Sequence, residues 1–149
     1  MENNINLSKV TNQGNAEKKR RILIIESNDV LANYISCIVD PYGYIDNAKN
    51  GRDALVYLSY TKYDAIVFDI GIPEVSGIDF FRDAIEVDPD IKKKLLFLMS
   101  GTYTKQIKFM RDNRVRFLRR TLQAEELTKA LEDLFFNSGA CIQALDQSA

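Results

Sequence analysis

The chain has 149 residues, 46% of them hydrophobic and 28% charged, and a net charge of −1. This composition is typical of one globular domain with a substantial core, and the balanced charge argues against nucleic-acid binding by the molecule as a whole. No apolar stretch approaches the ~20 residues that span a membrane, and the polar N-terminus lacks a signal-peptide core. We therefore expect a cytoplasmic protein. The absence of histidine excludes Ser-His-Asp and Cys-His catalysis and histidine metal sites.

The ends of the chain differ from its middle in composition. Residues 1–20 are polar and run into the basic stretch Lys18–Arg21, which predicts a disordered tail with a solvated basic flank. Residues 21–136 are predicted to form one domain, and residues 137–149 a second tail. Cys37 lies in an apolar helical pattern, which predicts a buried thiol, whereas Cys141 is expected to be exposed in the tail.

Apolar runs alternate with helical patterns in the middle of the chain. Uninterrupted runs at 22–25, 65–68 and 95–99 predict strands buried on both faces, and partly polar runs at 44–48 and 115–118 predict edge strands. The five segments between or after them carry apolar stripes at helical spacing. The first stripe is Val30, Leu31, Tyr34, Ile35 and Ile38; the second Ala54, Leu55 and Leu58; the third Ile78, Phe81 and Ile85; the fourth, which is weaker, Tyr103, Ile107 and Met110; and the last Leu127, Ala130, Leu131, Leu134 and Phe135.

Five strand–helix repeats predict an α/β fold, with a doubly wound parallel sheet of strand order 2-1-3-4-5, as in flavodoxin-like proteins. Strands 1 and 3 then flank the switch point, where such sheets bind ligands. The crevice at their carboxyl ends would hold Glu26, Ser27 and Asp69. Asp69 follows a buried run and precedes Pro73 and Gly77, so core packing does not explain it. The alternative is a carboxylate that caps a helix or sits in a loop.

The segment from about Arg21 to Phe136 resembles the receiver domain of bacterial response regulators, the CheY-like fold. The main match is Tyr63–Gly77, which keeps an aspartate, a proline four residues later and a glycine eight residues later. Supporting matches are Ala48–Leu55, the Ser100–Gly101 pair and Glu125–Leu127.

The resemblance implies a two-component phosphorelay in which Asp69 accepts a phosphoryl group with the help of Mg²⁺. The donor would be a histidine kinase, a phosphotransfer protein or a small phosphodonor. Each remaining role follows from the matched position in the family: Glu26, Asp69 and the carbonyl of Gly71 for the metal; Ser100, Gly101 and Arg120 for the phosphoryl group; and the aromatic Phe117 for the switch that partners sense.

Two departures from the family pattern weaken the implied site. Ser27 replaces the second metal-binding acid, and a hydroxyl does not restore the lost charge that Mg²⁺ prefers. Asp29 is a substitute by sequence, although capping the first helix, in competition with Asn28, fits it better. Arg120 and Thr121 stand where the family has Lys and Pro, with Arg119 as the alternative if the register slips by one. Mg²⁺ binding is therefore expected to be weak, and two functions remain open: a receiver phosphorylated at Asp69, or a phosphorylation-independent pseudo-receiver that acts as an interaction module.

The segment from Lys105 to Arg120 carries seven cations and one acid, a local charge of +6. In receivers this is the face of the fourth helix and fifth strand, which family members use for dimerisation or output contacts. The expected partner is an acidic protein or a second copy of the chain, with a solvated charged face as the open alternative. Nucleic-acid binding is disfavoured because aromatic residues are not interleaved and no helix-turn-helix pattern is present. We expect no enzyme, because a dehalogenase-type phosphatase would need an acid where Gly71 stands. A nucleotide-binding loop would not be as anionic as Glu26–Asp29.

Overall fold

The computed structural model describes residues 19–70, 77–99, 104–120 and 122–136. Strands and helices alternate along these residues, and two short 3₁₀ turns follow α1 and α3. The elements are β1 (Arg20–Ile25), α1 (Asp29–Val39), a 3₁₀ turn (Asp40–Tyr42), β2 (Gly43–Ala48), α2 (Gly51–Tyr60), β3 (Ala65–Asp69), α3 (Gly77–Val87), a 3₁₀ turn (Ile91–Lys93), β4 (Leu95–Met99), α4 (Thr104–Asn113), β5 (Arg116–Arg119) and α5 (Ala124–Phe136).

The strands form one five-stranded sheet of order β2-β1-β3-β4-β5, and every pair is parallel. The predicted order is thus confirmed, with the two partly polar strands at the edges. Every residue of β3 and β4 is buried, which agrees with their uninterrupted apolar runs. β1 begins at Arg20, at the end of the predicted N-terminal tail, while residues 1–18 and 137–149 lie outside the described part of the chain.

The sheet separates two apolar cores, because alternate side chains of a strand point to opposite faces. On one face α1 and α5 cover a cluster that includes Ile24, Val67 and Leu96, and on the other α2, α3 and α4 cover one that includes Phe68 and Phe97. The predicted stripe of α5 is confirmed: Leu127, Ala130, Leu131 and Leu134 are buried, and Phe135 packs at the margin of the cluster.

The predicted stripe of α1 was partly wrong. The residues that pack on the sheet are Ala32, Ile35 and Val39, whereas Val30 is 77% exposed and Tyr34 is 43% exposed. Ala32, Ile35 and Val39 lie three and four positions apart, so they form one line along the helix. Hydrophobicity alone had favoured the larger Val30 and Tyr34, which lie off that line.

Cys37 is exposed, contrary to the prediction of a buried thiol. It lies on the same helix but two residues from both Ile35 and Val39, which turns it away from the sheet. Among the described residues, no helix is both long enough and apolar enough to cross a membrane.

Candidate functional site

Three charged residues lie where strands β1, β3 and β5 end. Asp69 is the last residue of β3, and Glu26 and Arg120 directly follow β1 and β5. Two backbone hydrogen bonds to neighbouring strands fix the flanking positions: the N–H of Glu26 donates to the carbonyl of Ala48 at 3.0 Å, and the N–H of Arg120 donates to that of Met99 at 2.7 Å. The parallel order therefore brings these three residues to one edge of the sheet.

Arg120 connects the two acids. Its Nη2 donates to Oε2 of Glu26 at 3.1 Å and also to Oδ2 of Asp69. All three side chains are shielded: the side chain of Glu26 is 2% exposed, that of Asp69 8% and that of Arg120 21%. One guanidinium nitrogen thus lies between two carboxylates, in a place where solvent screens the charges little.

Both carboxylate oxygens of Glu26 accept hydrogen bonds. Oε1 accepts the backbone N–H of Asn28 at 3.0 Å, while Oε2 accepts Arg120. Burial raises the pKa of Glu26 to about 7, and the adjoining Asp69 carboxyl adds to the rise, whereas the Asn28 N–H and the Arg120 charge oppose it. The environment of Glu26 therefore favours the neutral form of this acid more than water does.

The start of α1 shows which side chain caps the helix. Oδ1 of Asn28 accepts the N–H of Leu31 at 3.1 Å, so Asn28 is the N-cap. By sequence, Asp29 and Asn28 competed for this role: the prediction for Asp29 was wrong, and its competitor Asn28 is the cap. Asp29 is the first helical residue and forms an exposed ion pair with Lys49 at 3.5 Å. Asp29 does not replace the missing second acid, and Ser27 is exposed.

The residue before Asp69 belongs to a wall of aromatic rings on the face of the sheet that α2, α3 and α4 cover. This residue, Phe68, packs against Phe80 and Phe97, with ring centroids 4.7 Å and 5.5 Å apart. Gly77 opens α3 beside this wall, and a Cβ there would lie 2.9 Å from a ring carbon of Phe97. The glycine that the sequence placed eight residues after Asp69 therefore permits close approach of α3 to the sheet.

The remaining predicted site residues fall into two groups. Gly71, Ser100 and Gly101 lie outside the described residues, so their roles stay predictions. Phe117 is 3% exposed and is the register partner of Phe97 on the neighbouring strand. Its position on β5 agrees with the alignment, while its role as a switch stays a prediction.

Arg120, rather than Arg119, enters the pocket. Arg119 is the last residue of β5 and is exposed, whereas the following residue turns toward the acids. The sequence placed Arg120 beside Asp69 but gave no sign of its contact with Glu26, 94 residues away. What the sequence does show is an arginine where the family has a lysine. A guanidinium reaches further than an ammonium group and carries five N–H donors, so it can bind two acids.

The described residues do not fit a tightly held divalent ion in this arrangement. One oxygen of each acid already accepts Arg120, and the other oxygen of Glu26 accepts a backbone N–H. Mg²⁺ requires charged oxygen ligands that can turn toward it. Among the described residues, no group of three or more acidic, cysteine or histidine side chains is arranged to hold a metal.

The predicted basic face is smaller than its sequence indicates. Arg116 is 5% exposed, and Arg120 belongs to the acidic pocket. Burial lowers the pKa of Arg116, although the nearby charge of Asp133 opposes this. Arg116 was wrongly assigned to the surface, because β5 packs one side under α5. Arg120 was also counted in this face, although the resemblance had already placed it at the phosphoryl site. The cations of this segment that are exposed are Lys105, Lys108, Arg111, Arg114 and Arg119.

A family model for the response regulator receiver domain matches residues 22–132, which include all five strands except the first two residues of β1. The chain belongs to the response regulator receiver domain family. The resemblance noted from the Tyr63–Gly77 motif is thereby confirmed, as is the CheY-like fold.

Receiver domains are signalling modules of two-component systems, and the similar proteins agree with this assignment. The chain is 31% identical over 75 residues to the chemotaxis protein CheY of Thermotoga maritima, a match that covers 49% of this chain and 62% of that protein. The match therefore spans less than two thirds of this curated relative.

Solved receiver structures share the fold. A CheY-like receiver protein from Methanospirillum hungatei has a TM-score of 0.73 at 15% identity, covering 81% of this chain and 97% of that one. The receiver domain of a sensor histidine kinase from Pseudomonas aeruginosa, described with a magnesium ion in its active-site cleft, has a TM-score of 0.69 at 19% identity and covers 79% of this chain and 98% of that one.

Proposed function

We propose that this receiver domain accepts a phosphoryl group on Asp69. The observation that carries the proposal is the position of the Asp69 carboxylate. Asp69 ends a fully buried strand, is 6% exposed and meets Arg120, the residue that follows β5. A buried acid with a guanidinium beside it is held in one orientation. Such a fixed carboxylate is suited to nucleophilic attack.

The proposed step transfers a phosphoryl group to a carboxylate oxygen of Asp69, from a nitrogen of phosphohistidine or from an oxygen of acetyl phosphate. An Oδ atom of Asp69 attacks the phosphorus of a phosphohistidine, the new O–P bond forms, and the P–N bond breaks. The electron pair of that bond stays on the imidazole nitrogen, which takes up a proton from water. With acetyl phosphate the P–O bond breaks instead and acetate leaves. The donor in the cell would be a histidine kinase or a phosphotransfer protein. The product is the receiver phosphorylated on Asp69, which acts as a signal and is not released as the product of an enzyme would be.

Arg120 supports this proposal as a phosphoryl-binding group. Its Nε is buried and has no hydrogen-bond partner among the described residues, while Nη2 holds the two acids. An aspartyl phosphate would bring three acceptor oxygens and extra negative charge next to this donor. Arginine binds phosphate through a planar fork, so the unpaired Nε would gain a partner when Asp69 is modified.

Phosphorylation is tested by intact-mass spectrometry after incubation with acetyl phosphate and Mg²⁺, and in parallel with a phosphohistidine donor protein. We expect one phosphoryl adduct that hydroxylamine removes, as it removes acyl phosphates. The variant Asp69→Asn should lose the adduct. The matched control is Asp83→Asn, which removes an exposed carboxylate on α3 and should keep it.

A second candidate function is a pseudo-receiver that binds partners without phosphorylation. Ser27 in place of an acid and the engagement of Arg120 with both remaining acids favour it. No adduct from either donor, in a protein that is folded by circular dichroism, would contradict phosphoryl acceptance and leave this second function. The cytoplasmic location, the acidic protein partner and the homodimer are part of the proposal under either function.

A further inference from the structure

The cation between Glu26 and Asp69 belongs to the chain itself. Nη2 of Arg120 donates to Oε2 of Glu26 at 3.1 Å and to Oδ2 of Asp69. Glu26 and Asp69 are also the side chains that would hold a divalent ion. Each of them already gives one oxygen to the guanidinium, so the guanidinium and a divalent ion would draw on the same two acids.

Charge also opposes the presence of both cations. Two ionised acids alone would carry a charge of −2, and the guanidinium between them reduces the net charge of the pocket to −1. A divalent ion placed beside the guanidinium would meet a like charge in a shielded site, where repulsion is stronger than in water. The ion can bind only if Arg120 moves out.

We propose that Arg120 is the resident cation of this receiver and competes with divalent metal ions for Glu26 and Asp69. The inference deepens the proposed function, because it concerns the cation beside the same Asp69. Metal binding to this receiver is thus limited by the departure of an internal side chain as well as by the missing second acid at Ser27. Removing the guanidinium should therefore strengthen metal binding.

The test is a titration of the full-length protein with Mn²⁺. Electron paramagnetic resonance measures the Mn²⁺ that stays free, and the affinity follows from it. The wild type should bind Mn²⁺ weakly, and Arg120→Gln should bind it about tenfold more tightly, the scale on which groups around a metal change its affinity. The double variant Glu26→Gln/Arg120→Gln should lose that gain, because it lacks one of the two acids. Arg119→Gln is the matched control: it removes the neighbouring, exposed arginine and should leave the affinity unchanged.

A second variant keeps the test decisive where Arg120→Gln does not fold. Arg120→Lys retains the charge at the end of β5 but shortens the side chain and removes the fork, so its Mn²⁺ affinity should exceed that of the wild type. Equal affinities for the wild type and the folded Arg120 variants would overturn the competition. So would a gain of the same size in Arg119→Gln, because it would show a general effect of charge.

Phosphorylation of the same samples separates this inference from the proposed function. Tighter Mn²⁺ binding in Arg120→Gln, with no adduct on Asp69 in any variant, supports the competition and contradicts phosphoryl acceptance. A normal adduct on Asp69 in the wild type, with equal Mn²⁺ affinities throughout, overturns the competition alone.

Discussion

Several charged side chains that are shielded from solvent in this protein form ion pairs. Some of their partners are close in the sequence and others are far away. Arg120 meets Glu26 and Asp69 from a remote strand, whereas Lys94 meets Asp88 from only six residues away. Shielding a charged group from water is costly when it has no partner, and in both cases an opposite charge offsets that cost. The remote pair lies at the candidate site, and the local pair lies at the opposite end of the sheet, before β4.

The local pair gives a prediction about pH at the scale of single residues. Burial would raise the pKa of Asp88, but hydrogen bonds from Lys94 and from the N–H of Asp90 outweigh it and lower the pKa below its usual 3.8. Because the folded pKa lies below the unfolded one, the pair stabilises the fold above the unfolded pKa. That stabilisation is lost as the pH falls through the folded pKa.

The variant Asp88→Asn should therefore lose about 0.5–1 kcal/mol of unfolding free energy at neutral pH, a typical value for a partly shielded ion pair. Urea unfolding followed by circular dichroism should show a constant difference from the wild type down to about pH 5 and a shrinking one below about pH 4. The exposed Asp83→Asn serves as the control. A difference that grows in acid would contradict the assignment.

Two glycines help to position elements of this fold, because they let a helix or strand begin closer to its neighbour than a Cβ would allow. Gly77 lets α3 begin against Phe97, and Gly43 lets β2 begin against β1. At Gly43 a Cβ would lie 2.0 Å from the carbonyl oxygen of Arg20, its register partner. Backbone atoms cannot turn aside as a flexible side chain can, so no side chain fits there without moving the strand.

Gly43→Ala is accordingly expected to destabilise the protein by about 2–3 kcal/mol, in the upper part of the range for overpacked sites. The measurement is chemical unfolding at one pH, with Asn47→Ala as the control. Asn47 lies on the same strand and is exposed, so its truncation should cost far less. Equal losses in the two variants would show that β2 tolerates a Cβ at position 43.

Exposed cations are concentrated on α4 and at the end of β5. Lys105, Lys108 and Arg111 are exposed on α4, and Arg119 is exposed at the end of β5. Lys108 forms an ion pair of 2.7 Å with Asp112, which lowers the net charge of this surface. The face is thus less basic than the count over Lys105–Arg120, but cations still predominate among its exposed charges.

An acidic partner surface, on a second copy or on another protein, would complement this face. If the partner is a second copy, sedimentation equilibrium should show a dimer that weakens as the salt concentration rises. The double variant Lys105→Glu/Arg119→Glu should then be monomeric, while Lys49→Glu, which changes an exposed lysine after β2, should not alter the equilibrium. A monomeric wild type at low salt would exclude the homodimer and leave a different acidic protein as the expected partner.

The sequence by itself determined the strands, their order and the position of Asp69. These depend on local information: uninterrupted apolar runs predict β1, β3 and β4, and a polar residue directly after such a run must emerge at the end of the strand. The stripe of α5 was equally readable, because its leucines are both large and correctly spaced. In α1 the same approach chose Val30 and Tyr34, because side-chain size and helical position disagree there.

Only the tertiary structure decided how the charged residues are used. Arg116 and Arg120 look like two more cations of a basic segment, yet one is buried beneath α5 and the other joins Glu26 to Asp69. Asn28, not Asp29, caps α1, since one side chain reaches the N–H of Leu31 and the other points to Lys49. The physical reason is that a charge has no fixed partner in the sequence. Its role depends on which strand ends and helix faces the fold brings within a few ångströms of it.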